Sequence, residues 1–264
     1  MSDQASDSVH TASTLPADRY TSELVFEGEV ERLFRREWFP VARTDQLKPL
    51  APSLAELDEK LSAYGFADLR YVKTLSFSSP LNWKIMVENF LESYHHMGTH
   101  SETLSHAFPA QGTYGEKVQG NYLLLENPSI DLDVIPRFWA GCILPATLFA
   151  LIRSNDTPYG IWYQLDIKGR DFFELKVHLL VHESIAEDAD AIEGIAASTT
   201  AIHLEDIPMC EGVWKGVNSR FYKPGRLSHL EECLWQFYRY LIIPVRQDNV
   251  DQGHADHDHT GAKL

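Results

Sequence analysis

Residues 82–100 read NWKIMVENFLESYHHMGTH. Trp83, Met86, Val87, Phe90, Leu91 and Tyr94 recur at i, i+3, i+4, i+7, i+8 and i+11, so the spacing predicts a helix with one apolar face. The opposite face collects Glu88, Asn89, Glu92, His95 and His96, and a third histidine, His100, follows Gly98. A polar helix face alone is usually just its wet side. Imidazoles next to carboxylates suggest more, because two His and one carboxylate on one side of Fe(II) leave positions open for oxygen. Two pairings are open. His96 and His100, at i and i+4, share a face of a continuous helix. His95 and His100 are about 140° apart around a straight helix and converge only if it breaks, for which Gly98 is the candidate. Periodicity favours His96.

Upstream, residues 26–38 have helical periodicity with Val30, Leu33 and Phe34 on one face. Residues 45–55, with Pro49 and Pro52, read as a connector, 55–64 as a short helix and 70–76 as extended chain. Downstream, residues 138–183 turn β-like. The runs 147–153, 159–167 and 172–182 are rich in aromatic and branched residues and are punctuated by Asn155-Asp156-Thr157-Pro158 and Lys168-Gly169-Arg170, which predicts three strands of an antiparallel meander. Residues 186–203 are helical and Ala-rich. Ser228 and Glu231 form a capping box for a last helix, with Leu230, Cys233, Leu234, Phe237 and Leu241 at helical spacing until Pro244. The expected fold class is α+β, of helix-grip type: a curved antiparallel sheet holding a long C-terminal helix.

The chain has 264 residues, enough for one large domain or one and a half. A net charge of −15 argues against nucleic acid and against an anionic membrane surface, both of which are bound through clustered Lys and Arg. No apolar run approaches the roughly 18 residues of a membrane span. The N-terminus is polar and acidic where a signal peptide is basic and then apolar, so the expected location is cytoplasmic. Cys142, Cys210 and Cys233 are odd in number and far apart, as structural thiols are. None is followed two residues later by His, so the spacing that holds a Rieske cluster is absent. Residues 1–15 read as a disordered leader and 248–264, with His254, His257 and His259, as a solvated tail.

Trp83-Lys84, Glu88-Asn89-Phe90 and Tyr94-His95 followed by His100 resemble the signature of the Rieske non-heme iron oxygenase α-subunits, the aromatic-ring-hydroxylating dioxygenases. The resemblance implies a START/Bet v1-like catalytic domain in which His95 and His100 bind a mononuclear Fe(II). It makes Glu92 the acid that bridges an electron donor to a ligand histidine, and places Asn89 near the site. Choline- and betaine-type members also use Glu there. The later family motif resembles residues 205–216, EDIPMCEGVWKG, whose Asp206 is then the third ligand. Trp214 departs from the motif, and Pro208 follows the ligand closely enough to disturb its backbone. Glu205 is the competing carboxylate.

Residues 15–47, with Leu15-Pro16-Ala17-Asp18-Arg19-Tyr20 and Trp38-Phe39-Pro40-Val41, resemble the family's opening segment. Gln46-Leu47-Lys48-Pro49 then runs directly into the linker before the catalytic domain, where relatives carry a Rieske domain. The expected organisation is leader 1–15, flanking segment 16–52, iron domain 53–247 and tail 248–264, with Fe(II) but no [2Fe-2S] cluster in this chain. The resemblance implies hydroxylation or demethylation of a small organic molecule. Electrons would come in trans from a Rieske-bearing α-subunit, or from a ferredoxin plus reductase, within a homo- or hetero-trimer. Two other readings stay open: a non-catalytic or regulatory subunit, and a helix-grip ligand-binding module with Trp139, Phe149, Trp162 and Tyr163 lining its pocket.

Overall fold

Among the described residues, seven strands form one curved antiparallel sheet: β1 (Leu69–Ser79), β2 (Tyr114–Gly115), β3 (Tyr122–Asn127), β4 (Phe138–Ile143), β5 (Thr147–Ser154), β6 (Thr157–Gly169) and β7 (Phe172–His182). Their order across the sheet is β1-β7-β6-β5-β4-β3-β2. The computed structural model describes residues 8–35, 51–62, 65–118, 120–128, 138–154 and 157–242. The expected meander is β5 to β7, and the α+β helix-grip class holds.

Side chains alternate between the two faces of the sheet, as strand geometry requires. Leu148, Ala150 and Ile152 of β5 join the main core, while Phe149 between them joins a second cluster with Tyr122, Leu124, Trp139 and Leu57. Gly141 on β4 makes room for this: a Cβ there would stand 2.2 Å from the Phe149 ring. β3 was not legible beforehand because all six of its residues are buried, and a strand covered on both faces loses the two-residue period.

The helices are α1 (Asp18–Thr21), α2 (Glu23–Glu29) continued by a π-turn (Val30–Phe34), α3 (Ala51–Ser62), α4 (Trp83–Phe90), α5 (His96–Thr99), α6 (Ala189–Val217) and α7 (Glu232–Ile242). α3 begins inside the expected connector, because Pro52 is tolerated in a first helical turn. The long helix is α6, with 29 residues, and not the 11-residue α7 that is the last described helix. Pro208 costs α6 one backbone donor but does not end it. Ala196, Thr199, His203, Cys210 and Val217 are buried along its length, and such packing outweighs local propensity. The Ser228–Glu231 box forms one turn ahead of α7: the Glu231 carboxylate accepts the Ser228 N–H, and Ser228 Oγ accepts the Leu230 N–H at 3.3 Å.

Residues 8–15 are not the disordered stretch expected of them. Val9, Ala12 and Leu15 are buried in the main core, and backbone bonds Thr14 N–H to Gly225 O (2.9 Å) and Leu227 N–H to Ala12 O (3.2 Å) tie the segment down. Tyr20 and Leu33 share the same core. Residues 1–7, the 46–49 junction and the 248–264 tail lie outside the described residues.

Candidate metal centre

The site begins at α4. Asn82 caps it, with Oδ1 accepting the Lys84 N–H at 3.1 Å, while Nδ2 donates to the carbonyls of Tyr20 (3.1 Å) and Arg170 (2.7 Å). The amphipathic expectation fails here, because α4 is packed on nearly all sides. Lys84 is 1% exposed and ion-paired with Glu29 at 2.8 Å, and Trp83 Nε1 donates to the same carboxylate at 3.2 Å. Glu88 accepts the Tyr20 hydroxyl at 2.8 Å.

Burial pushes the Glu88 carboxyl up to about 7, against the Tyr20 bond, Lys84 and Tyr238, with Glu231 adding to the rise. The folded state therefore holds this proton where the unfolded chain has already lost it. Its stabilisation is complete below about pH 4.5 and is lost as pH rises to about 7. Glu88→Gln, which keeps the acceptor for Tyr20, is expected to flatten that slope and to be more stable than the parent at pH 8. Urea denaturation at pH 5 and pH 8 measures it. An unchanged pH dependence counts against this account.

α4 ends at Phe90, and Leu91 leaves the helix at φ −102°, ψ 15°. The chain turns and re-enters helix as α5, with His95 at its N-cap and His100 at its C-cap. The two converge because this helix is a single turn with one of them at each end: it stops at Thr99, and His100 leaves it at φ −111°, ψ 36°. Gly98, the expected break, sits inside α5. The rings of His95 and His100 have centroids 5.1 Å apart. From α6, Asp206 Oδ1 stands 3.0 Å from His100 Nε2 and 3.7 Å from His95 Nε2. One ligand atom from each of the three residues lies within 4.8 Å of the others.

Each imidazole is oriented by a separate acid. His95 Nδ1–H donates to Glu92 at 2.6 Å, and the His95 backbone N–H reaches the same carboxylate at 3.2 Å. His100 Nδ1–H donates to Glu205 at 2.7 Å, which also accepts Thr103 Oγ1 at 2.7 Å. Glu205, read from sequence as a rival of Asp206, therefore serves His100. His96, the alternative partner of His100, donates its Nδ1–H to the Phe108 carbonyl at 3.0 Å, and burial, with His95 beside it, pushes its pKa down to about 4. Asn89 Nδ2 donates to Asp206 Oδ1 at 3.0 Å. The roles of Glu205 and Thr103 were invisible in the sequence, since nothing in their spacing says which acid turns to which histidine.

The trio suits a metal. Burial raises the Asp206 carboxyl, but His100, His95 and Asn89 outweigh it and hold it below the usual range. His100 Nε2 is buried, and the Asp206 oxygen 3.0 Å away makes no aligned hydrogen bond to it. Buried nitrogens are rarely left so, and a cation between it, His95 and Asp206 satisfies it. Two neutral imidazoles with a carboxylate are the donor set of non-heme Fe(II) sites, and a carboxylate behind each His fixes tautomer and orientation.

The trio faces a chamber of about 240 Å³ between the sheet and α6. Met86, Phe90, Phe108, Ile152 and Tyr163 form much of its wall. Of the aromatics proposed from sequence, Tyr163 lines it. Trp139, Phe149 and Trp162 pack in or against the cluster on the other face of the sheet. Glu92 also borders a second hollow, on its other side, with Tyr94, Lys223 and Glu231. No helix among the described residues is long and apolar enough to cross a membrane.

Comparison with known proteins bears on the same segments. The family model described as ring hydroxylating alpha subunit (catalytic domain) matches residues 66–130 and 168–242, more than half of the chain. Chloroplastic choline monooxygenase of Atriplex hortensis is 24% identical over 197 residues, covering 71% of this chain and 43% of the relative. That of Spinacia oleracea is 25% identical over 194 residues, covering 69% and 42%. The chain thus spans less than half the length of these relatives. A solved quaternary ammonium Rieske monooxygenase, described in connection with carnitine oxidation and inter-subunit electron transfer, superposes with a TM-score of 0.74 at 15% identity, over 89% of this chain and 96% of that one. NdmB of Pseudomonas putida CBB5 superposes with a TM-score of 0.52 at 16% identity, over 67% and 51%. At these identities the solved structures speak for the fold alone. The motif-bearing α4–α5 segment and α6 both fall inside the family match, and the chain belongs to the ring-hydroxylating α-subunit catalytic-domain family.

Proposed function

We propose that this chain is the catalytic component of an Fe(II)- and O2-dependent oxygenase that hydroxylates or demethylates a small organic substrate. The observation that carries the reading is the convergence of His95, His100 and Asp206, each imidazole backed by its own carboxylate, at the wall of an apolar chamber. Bound by these three, Fe(II) supplies the reductive activation of dioxygen. Asn89 steadies the carboxylate ligand, and the chamber excludes water around the substrate. Electrons come from outside these 264 residues, which contain no Cys-x-His pair to hold a Rieske cluster. A Rieske-bearing α-subunit, or a ferredoxin with its reductase, is the donor, within a trimeric assembly. Glu92 is its point of contact, because it lies between His95 and the second hollow.

The test is anaerobic reconstitution followed by turnover. One Fe(II) per chain is expected, with oxygen uptake and hydroxylated product only when a Rieske donor and reductase are added. A chain that binds no Fe(II) ends this reading, and product formation that survives Asp206→Ala marks a regulatory subunit beside another active one. Glu205→Ala is expected to weaken Fe(II) by about 10–100-fold, the usual cost of freeing a ligand histidine from its carboxylate. Competition with a chelator measures it, and an affinity equal to the parent's would remove Glu205 from the centre.

A further inference from the structure

His203 projects from α6 one turn before Asp206 and lines the same chamber. It is 3% exposed, and its Nε2 is buried with no hydrogen-bond partner among the described residues. Its ring lies against Phe77, with centroids 4.2 Å apart. Burial holds its pKa below the ordinary value, against Asp206, so the ring is neutral and can donate or accept. Of the other polar residues that line the chamber, His96 is bound to Phe108, Ser93 to Asn127, and Glu92 and Asp206 lie within the metal centre, while Tyr159, Tyr163, Ser198 and Thr199 line it too.

The described lining contains no Lys or Arg, so a substrate carboxylate meets no counter-charge. Its aromatic rings meet edge to face, Phe90 on Tyr163 at 4.9 Å and Phe108 on Phe138 at 5.4 Å. They cover one another's faces instead of standing open as a cage for a cation. The volume, about 240 Å³, suits a single substituted ring, since a cavity of roughly 150 Å³ already takes benzene.

We infer that His203 is the specificity-determining residue of this chamber, and that it selects a mostly apolar molecule of about one ring, without a carboxylate, through a hydrogen bond at Nε2. The inference rests on the oxygenase reading in naming that molecule a substrate. The recognition itself needs no iron.

Calorimetric titration of the full chain, metal-free and again anaerobically with Fe(II), tests it with phenol and toluene, which differ only by hydroxyl against methyl. Phenol is expected to bind about tenfold or more tightly than toluene, and benzoate to bind the metal-free protein more weakly than phenol, because a carboxylate beside Glu92 and Asp206 is buried without a partner. His203→Phe, which fills the space without a nitrogen, should bring phenol and toluene within about twofold of each other. His203→Gln should keep the preference. Equal binding of phenol and toluene to the parent, no phenol binding at all, benzoate binding the metal-free protein more tightly than phenol, or an undiminished preference in a folded His203→Phe each overturn the inference. Phenol preference in a chain that fails to bind Fe(II) sinks the oxygenase reading and leaves this one standing.

Discussion

Asp206→Ala is expected to abolish stoichiometric Fe(II) binding while leaving the chain folded. Asp206 supplies the sole carboxylate of the trio. Without it, two neutral imidazoles face a divalent cation with no negative charge at bonding distance. Glu205 cannot replace it, being held by His100 and Thr103 on the far side of the ring. The loss should exceed the roughly 10–100-fold that follows removal of an outer carboxylate. Folding should survive, since the side chain is polar, 14% exposed and sits mid-way along a long helix where Ala is the best former. Fe(II) titration under argon, with thermal melts of the metal-free proteins, separates the two effects. An affinity within tenfold of the parent's would place the metal elsewhere.

The second large effect concerns stability. Lys84→Ala is expected to cost about 3–5 kcal/mol, because it leaves Glu29 buried as an unpaired charge. The pair is nearly sealed, at 1% and 7% exposure, and both Glu29 oxygens lie 2.8 Å from Nζ. Burial lowers the Lys84 pKa, and Glu29 opposes that fall, so the lysine's charge depends on its partner. In a chain of this size the melting temperature should drop by on the order of 10 °C. Glu29→Gln with Lys84→Met should recover most of the loss. It removes both charges, keeps the lysine's volume and leaves Trp83 Nε1 an acceptor. If the single variant costs less than about 1 kcal/mol, the usual range for exposed pairs, the pair is open to water.

Much of this architecture was legible in the sequence where a period or a cap exposed it. β5, β6 and β7 announce themselves by alternation and by the turns between them. What stayed hidden has physical causes. β3 is covered on both faces, and residues 8–15 are polar but for Val9, Ala12 and Leu15, whose burial depends on partners near residue 226. Periodicity pointed to His96 because it assumes one unbroken helix, whereas α5 is a single turn, with His95 and His100 at its two ends. The choice between Asp206 and Glu205 turns on which side of α6 each carboxylate leaves, a matter of 100° that composition cannot supply. The family resemblance named His95, His100 and Asp206. The acid behind His100 and the free nitrogen of His203 emerged only from the packed structure.

The sheet order has one more consequence. Leu69 faces His182 and Ser79 faces Phe173, so β1, the first strand to be synthesised, has no hydrogen-bonding neighbour until roughly a hundred further residues have followed. Such nonlocal pairing is slow, and it leaves an unmatched edge on the nascent chain. Asp206 comes later still, one helix beyond β7. His95 and His100 thus leave the ribosome long before the residue that completes their trio, so a metal held by all three would be captured only in the last stage of folding.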